Sequence, residues 1–356
     1  MGEIVNQYKC IAVAGTHGKT TTTSLITHIF MTAQKNVIAF VGGIMSNYNT
    51  NFIYKITNSS STIFSITEAD EYDKSFLQLR PNVAVITSVD ADHLDIYQTH
   101  EHLINTYQSF ASKIKDDGLL IVNKSVDKFF LNQKKISTYA VNLNGQIMAQ
   151  NVRFLNHRMI FDLYIEDKVF QNVELNIPGQ HNVLNALAAI AVARHYHISF
   201  EDIFHSLKTF NGVKRRFEYH IKNNDKILID DYAHHPEEMR NFLSAVKMLY
   251  PDKKITAIFQ PHLYSRTRDF MKEFADVLSQ YADEIILLDI YPARELPIPG
   301  ITSQALLEKI QHTNKKLLSK QELPNYLGSS YHEVILTIGA GDIELLIPDI
   351  KKQLIN

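Results

Sequence analysis

The segment AVAGTHGKTTTT, residues 12–23, constrains the fold most, because an apolar run passes through two glycines and a lysine into a Thr-rich helical pattern. Glycines allow backbone N–H groups to approach phosphate oxygens, and the N-terminus of the following helix adds positive potential. Lys19 can neutralise phosphate charge, and Thr20 can reach a Mg²⁺ ion. This order of strand, loop and helix predicts a nucleotide-binding site at the carboxyl edge of a parallel sheet. A plain glycine turn before a helix is the alternative interpretation.

The glycine spacing departs from the usual phosphate-loop pattern. That pattern places a glycine five residues before Gly18, where this sequence has Val13. Gly15 stands three residues before Gly18 instead. The match is incomplete on spacing, although the order of strand, GKT and helix favours nucleotide binding.

Short apolar runs alternate with helical patterns through the first half of the chain, which is typical of parallel sheets covered by helices. The predicted strands there are 10–14, 37–41, 62–67, 84–88 and 119–122. Residues 136–177 alternate apolar with polar side chains, and this period indicates a small antiparallel patch. The segment PGQHNVLNALAAIAVARHY then predicts a Pro-Gly turn followed by an Ala-rich helix.

A second α/β pattern begins after FNGVKRRF, residues 210–217. Its predicted strands are 227–229, 255–259, 284–289 and 333–338, with helices between them. We therefore predict an α/β protein with a P-loop domain at residues 1–212, whose mostly parallel sheet carries the antiparallel patch. A Rossmann-like α/β domain follows at residues 213–356. A chain of 356 residues is long enough for two such cores.

Composition excludes some classes of function. The chain has 36 basic and 38 acidic side chains, so no net field favours nucleic acid or anionic membrane. It contains no apolar run long enough to cross a bilayer and no N-terminal signal pattern. The single cysteine, Cys10, excludes an intramolecular disulfide and fits a reducing compartment, and its apolar neighbours indicate a buried strand thiol. We predict a cytoplasmic protein.

Polar residues follow two predicted strands of the first domain. Glu68 ends the strand STIFSIT and begins an acidic group with Asp70, Glu71 and Asp73. A carboxylate at a strand end beside a phosphate loop is a suitable Mg²⁺ ligand, whereas a solvated acidic loop is the alternative. His93, in SVDADHLD, follows the next strand and can contact metal or substrate, or be an ordinary core or surface histidine.

The second domain carries its own polar clusters. LIDDYAHHPEE places two carboxylates and two histidines between a strand and a helix that begins at Pro236. FQPHLYSRTRDF supplies His262, Arg266 and Arg268, and RRF supplies Arg215 and Arg216. Arginines can bind carboxylate or phosphate groups in a bidentate manner. Together these clusters predict a ligand cleft between two domains, with ordinary surface charge as the alternative.

With these segments in hand, the chain resembles the Mur ligase family, and within it the branch that joins UDP-N-acetylmuramate to L-alanine. The matching segments are GTHGKTTTT, EADEYDKSF, SVDADHLDIY, PGQHNVLNALAA, GVKRRFE, DDYAHHP, FQPHLYSRTRDF and IYPARE, in family order over nearly the whole chain. The shortened glycine spacing is also that of the family. The resemblance implies an ATP- and Mg²⁺-dependent ligase of peptidoglycan precursor synthesis that works through an acyl phosphate.

The resemblance also implies roles for particular residues. The ATP phosphates would be cradled by Gly15, Thr16, His17, Gly18, Lys19, Thr20 and Thr21. Thr20 and Glu68 would hold one Mg²⁺, and His93 would lie at a second metal and the muramoyl carboxylate. Adenine would contact His181, Asn182 and Asn185, while Arg216 would stabilise the γ-phosphoryl group and Asp231 the ribose. The substrate side would include Arg215, Tyr232, His234, His262 and Arg266. The candidate catalytic residues are Lys19, Glu68, His93 and Arg216.

Two departures from the family pattern bear on function. Leu263 stands where relatives often have arginine. Relatives also begin with a further Rossmann-like domain that binds the UDP group, and this chain is expected to lack that domain. The chain would then ligate weakly alone or need a UDP-binding domain supplied in trans. The alternatives are a ligase that recycles cell-wall tripeptide, against which QPHLYSRTRDF argues, and a non-catalytic ATP-binding remnant or partner subunit.

Overall fold

The protein contains two compact α/β units, residues 1–214 and 215–356, a division two residues after the predicted one. A computed structural model describes residues 2–57, 61–90, 94–97, 99–155 and 157–355. Within these ranges no helix has the length and apolar character needed to span a bilayer.

The N-terminal unit is built on a sheet of ten strands. They are β1 (Lys9–Ala14), β2 (Asn36–Met45), β3 (Thr50–Lys55), β4 (Ile63–Glu68), β5 (Val83–Ile86), β6 (Leu119–Asn123), β7 (Ile136–Val141), β8 (Ile147–Leu155), β9 (Arg158–Ile165) and β10 (Lys168–Leu175). Their order is β10-β9-β8-β7-β6-β5-β1-β4-β2-β3. The inner pairs are parallel, whereas β3 pairs antiparallel with β2 at one edge and β9 and β10 are antiparallel at the other.

Helices cover both faces of this sheet. They are α1 (Gly2–Val5), α2 (Lys19–Thr32), α3 (Leu94–Tyr97), α4 (His100–Ala111), α5 (Gln180–His195) and α6 (Phe200–Thr209), with a 3₁₀ turn at Ser75–Gln78. On one face, Phe30 of α2 and Leu187 of α5 belong to a single apolar core. On the other face, Tyr107 and Phe110 of α4 pack over Ala12 of β1. Because β1 is covered on both sides, its sequence is a continuous apolar run rather than an alternating one.

Cys10 lies in β1, and its side chain is fully buried. Burial raises the pKa of its thiol to about 11, so the reactive thiolate is disfavoured. The prediction of a buried strand thiol is confirmed.

The C-terminal unit has a second sheet and its own helices. Its strands are β11 (Glu218–Lys222), β12 (Ile227–Asp231), β13 (Ile255–Phe259), β14 (Glu284–Leu287), β15 (Lys315–Leu317) and β16 (Val334–Ile338), in the order β11-β12-β16-β13-β14-β15. Only β11 pairs antiparallel among these described strands. The helices are α7 (Pro236–Leu249), α8 (Tyr264–Asp269), α9 (Met271–Tyr281), α10 (Ser303–Lys309), α11 (Glu322–Ser329) and α12 (Ile347–Ile355).

The predicted fold class is confirmed, with two differences in strand pairing. Within residues 136–177 the antiparallel patch is formed by β8, β9 and β10, whereas β7 and β8 pair in parallel. The hairpin between β2 and β3 was not predicted. Its turn contains no Gly or Pro, and Asn49 supplies the left-handed residue with φ of 52° instead.

Candidate functional site

The phosphate loop runs from the end of β1 to the start of α2, and two of its residues must be glycine. Gly15 has φ of +127° and Gly18 has φ of +83°, conformations that residues with a Cβ rarely adopt. A Cβ on Gly15 would lie 2.2 Å from Thr87 Oγ1, and a Cβ on Gly18 would lie 2.5 Å from Asn185 Oδ1. The unusual glycine spacing therefore corresponds to two positions where neighbouring side chains approach the backbone.

The segment after β5 fixes the loop in place. The backbone N–H of His17 donates to Ser88 Oγ at 3.0 Å, and Thr16 Oγ1 donates to the carbonyl of Asp90 at 2.9 Å. The N–H of Thr87 donates to the carbonyl of Ala14 at 3.0 Å. These bonds hold the loop in a defined conformation, and a preorganised loop loses less entropy when a ligand binds.

Lys19 lies in a buried ion pair with Glu71. Its Nζ is 3.0 Å from each oxygen of the Glu71 carboxylate and donates to the carbonyl of Gly15 at 2.8 Å. Burial alone would lower the pKa of Lys19, but the carboxylates of Glu71, Asp70 and Glu68 outweigh it, and the pKa is raised. Lys19 is therefore charged at neutral pH, and Glu71 is a partner that the sequence patterns did not identify, although the motif EADEYDKSF contains it.

Glu68 and Thr20 form a pair of oxygen donors beside the loop. In the β1–β4 pairing Glu68 is opposite Val13, and its Oε2 accepts a hydrogen bond from Thr20 Oγ1 at 3.2 Å. Its other oxygen accepts from the N–H of Gly42 at 2.6 Å. A Cβ on Gly42 would lie 2.7 Å from Glu68 Oε2, so this close approach also requires glycine. His93, the third predicted metal ligand, lies outside the described residues.

The start of α5 lies against the phosphate loop. Asn185 Oδ1 accepts from Thr22 Oγ1 at 3.2 Å, and Asn185 Nδ2 donates to Asn182 Oδ1 at 3.1 Å. Asn182 Nδ2 donates to the carbonyl of Pro178 at 2.6 Å. Gly179, with φ of +101°, lies so close to the ring of His181 that a Cβ would be 2.5 Å from it. Asn185 thus lies next to the loop and joins α5 to α2, and His181 and Asn182 precede it on the same helix. The adenine contacts of these three residues stay a prediction.

In the C-terminal unit, Asp231 ends β12 and accepts two backbone hydrogen bonds. Its oxygens accept from the N–H groups of Phe217 and Ala233, each at 2.8 Å. Burial raises the pKa of Asp231 to about 7, although Arg216 and both N–H groups act in the opposite direction. Its predicted ribose contact stays a prediction.

Arg215 is held by partners within its own unit. Its guanidinium lies 3.0 Å from the buried Asp230 and 3.2 Å from Glu344, and it donates to the carbonyl of Gly339 at 2.6 Å. These contacts favour a structural role for Arg215, and its assignment to the substrate stays a prediction. The Arg216 guanidinium carbon lies 5.8 Å from the centre of the Tyr232 ring.

The remaining residues assigned to the substrate lie close together. The rings of His234 and His262 are 5.9 Å apart, and His262 stacks on Tyr291 at 5.7 Å. Arg266 Nη1 lies 3.5 Å from His262 Nδ1. Burial, with smaller electrostatic effects of the neighbouring His234 and Arg266, lowers the pKa of His262 to about 4, so this imidazole is neutral at pH 7. Leu263, between them in sequence, has φ of +70°.

Comparison with known proteins gives consistent results over both units. The family profile described as the Mur ligase middle domain matches residues 13–193, and that of the Mur ligase glutamate ligase domain matches residues 215–341. A UDP-N-acetylmuramate–L-alanine ligase from Christiangramia forsetii is 45% identical over 356 residues, which are 100% of this chain and 76% of that protein. One from Flavobacterium psychrophilum is 47% identical over 99% of this chain and 76% of its own length.

A solved structure agrees with these relatives. The crystal structure of a UDP-N-acetylmuramate-alanine ligase from Thermotoga maritima superposes with a TM-score of 0.80 at 26% identity, over 98% of this chain and 76% of that one.

Proposed function

The chain belongs to the Mur ligase family, and we propose from this premise that it joins the lactyl carboxylate of UDP-N-acetylmuramate to the amine of L-alanine at the expense of ATP. The family membership makes it an ATP-dependent ligase of peptidoglycan precursor synthesis. The observation that carries the finer proposal is the 45–47% identity, over nearly the whole chain, to relatives named for this reaction.

The proposed reaction has two steps, because a carboxylate is a poor electrophile until one of its oxygens becomes a leaving group. First, the γ-phosphoryl group of ATP moves to a lactyl carboxylate oxygen, which gives an acyl phosphate and ADP. The amine nitrogen of L-alanine then attacks the carbonyl carbon and loses a proton, and the bond from carbon to the phosphate oxygen breaks. The products are the amide and inorganic phosphate.

The phosphate loop supplies the positive potential that this transfer needs. We propose that the N–H groups of residues 15–21 and the ammonium group of Lys19 bind the β- and γ-phosphates. The loop is already hydrogen-bonded to the segment after β5, so little reorganisation accompanies binding. Arg216 is the further cation that we propose acts on the transferred phosphoryl group.

Thr20 and Glu68 fit a magnesium site. Mg²⁺ in phosphate-transfer sites is usually held by one or two protein oxygens together with phosphate oxygens and water. The Glu68 carboxylate is fixed by the Gly42 N–H and lies 3.2 Å from Thr20 Oγ1, which provides that small oxygen set. Bound Mg²⁺ would neutralise phosphate charge as it develops. The role of His93 as a further ligand stays a proposal.

We propose that the acceptor end is formed by Tyr232, His234, His262 and Arg266. An arginine can bind the carboxylate of alanine in a bidentate manner, and this would leave the amine free to attack. The neutral imidazole of His262 adds no charge that would compete with Arg266 for the carboxylate. Asp231 remains the proposed contact of the ribose.

The test is phosphate release from ATP and Mg²⁺ in the presence of both UDP-N-acetylmuramate and L-alanine, with each omitted in turn. We expect release to require both substrates and to fall by at least about a hundredfold in Lys19→Ala, because the loop loses its charge on the β- and γ-phosphates. Replacing L-alanine by cell-wall tripeptide as the acceptor, with UDP-N-acetylmuramate kept, tests the recycling reaction. ATP binding without any coupled release, even after a separately produced UDP-binding domain is added, would instead favour a non-catalytic nucleotide-binding subunit.

Assayed by itself, this 356-residue segment is expected to turn over slowly. The chain spans 76% of the length of its relatives, and binding energy from remote parts of a substrate helps to position the reacting group. Adding a separately produced UDP-binding domain from a relative should therefore raise the rate at low UDP-N-acetylmuramate concentration. Efficient turnover without the added domain would contradict this part of the proposal.

A further inference from the structure

We propose that Glu71 is a positioning residue that restrains Lys19 within the phosphate loop and limits the affinity of the loop for nucleotide phosphates. The inference rests on the proposed binding of ATP and adds a residue that the reaction above does not use.

The contact between the two side chains is close and shielded from water. Lys19 Nζ lies 3.0 Å from both Glu71 oxygens, and the exposed fractions of the two side chains are 14% and 1%. The same nitrogen donates to the carbonyl of Gly15 at 2.8 Å. The ammonium group is therefore directed to partners inside the protein.

The backbone holds Glu71 in position. Its carbonyl accepts from the N–H of Lys74 at 3.1 Å and from the hydroxyl of Tyr97, a side chain that is itself buried. The Ser75–Gln78 turn follows directly. Because Glu71 is anchored in this way, we expect its carboxylate to stay near the loop when Lys19 contacts a ligand.

This arrangement has a definite electrostatic consequence. A nucleotide brings several negative charges to the loop, where Glu71 repels them and also competes for Lys19. Removing the Glu71 charge leaves Lys19 as a buried cation without its ion-pair partner. A bound phosphate would then take the place of Glu71 as the partner of Lys19. Neutralising Glu71 should therefore strengthen nucleotide binding. A residue that only supports the loop structurally would give the opposite result, because its loss would weaken binding.

The experiment compares ADP–Mg²⁺ binding by isothermal titration calorimetry to the full chain and to Glu71→Gln. We expect Kd to fall by roughly tenfold in the variant. The matched control is Asp73→Asn, which removes a charge from the same segment on an exposed side chain that is not among the carboxylates acting on Lys19. Its Kd should change by about twofold or less. In a Lys19→Ala background, Glu71→Gln should lower Kd by less than it does in the unaltered chain, because only the direct repulsion between Glu71 and the phosphates remains.

The outcomes separate this inference from the proposed function. If the unaltered chain binds no ADP or ATP, the proposed nucleotide use fails. If it binds ADP but Glu71→Gln binds equally or more weakly, the inference on Glu71 is overturned. Thermal unfolding checks that the variant is folded. If Glu71→Gln does not fold, the second variant is Glu71→Asp, which keeps the charge but withdraws it by one methylene group. This variant should still lower Kd by about threefold, and an unchanged Kd would overturn the proposal.

Discussion

Gly18 shows how strongly one residue can be determined by its surroundings. Its backbone is left-handed, and Asn185 of α5 occupies the space that a side chain would need. The same asparagine accepts a hydrogen bond from Thr22. Gly18 therefore meets two requirements, a left-handed backbone and close packing against Asn185. The sequence motif alone shows only the first of them.

At this scale we predict that Gly18→Ala destabilises the protein by about 2 to 4 kcal/mol, from backbone strain plus the displacement of Asn185. Gly300→Ala is the matched control, because Gly300 has a similar φ of +80° but nothing within 4 Å of the added Cβ. It should cost only about 1 kcal/mol, the strain alone. Urea unfolding measures both values, and equal losses in the two variants would show that the contact with Asn185 is unimportant.

The elements of the two sheets place polar groups where parallel strands end. Glu68 reaches the loop because β4 pairs with β1, and its carboxylate is fixed because β2 pairs with β4 on the other side and presents Gly42. The proposed magnesium site thus depends on three neighbouring strands rather than on one motif.

Gly42→Ala tests this dependence. The added Cβ would come within 2.7 Å of Glu68 Oε2 and should displace the carboxylate. We expect the Mg²⁺ concentration needed for half-maximal ADP binding to rise by about fivefold, while ADP binding without metal stays within about twofold. Gly145→Ala, where the nearest atom would be at 3.4 Å, should leave both unchanged. If Gly42→Ala weakened ADP binding equally with and without Mg²⁺, the substitution would be acting on the phosphate loop instead of on the metal site.

The sequence predicts some strands accurately and misses others, and the burial and length of each strand explain the difference. Buried strands such as β1 and β13 are continuous apolar runs and were predicted within one or two residues of their bounds. Short or half-exposed strands such as β3, β11 and β15 carry no such run and were missed. The Lys19–Glu71 pair joins residues 52 positions apart, and only the fold brings them together.

At the scale of the whole molecule, each unit buries its own apolar cores. The two cores of the N-terminal unit lie within residues 5–213, and the two of the C-terminal unit lie within residues 217–354. No described core crosses the division after residue 214. Each unit is also well above the size at which a single domain can fold alone.

We therefore expect residues 1–214 and 215–356, produced separately, to unfold as cooperative single transitions in far-ultraviolet circular dichroism. Each should retain most of its secondary structure, since its sheet is complete. The N-terminal piece should still bind ADP through the phosphate loop. A gradual, non-cooperative melt of either piece would show that its cores need the rest of the chain.

The position of Cys10 has a practical consequence. It is the one thiol in the sequence, and it lies fully buried in β1, the strand that leads into the phosphate loop. A chromogenic disulfide reagent can react with Cys10 only when β1 leaves the sheet. Its reaction rate with the native chain therefore measures how often the N-terminal unit opens spontaneously. Saturating nucleotide should slow that reaction, and the more tightly the nucleotide binds, the slower the reaction should be. The rate of thiol modification would thus report ligand binding without any added label.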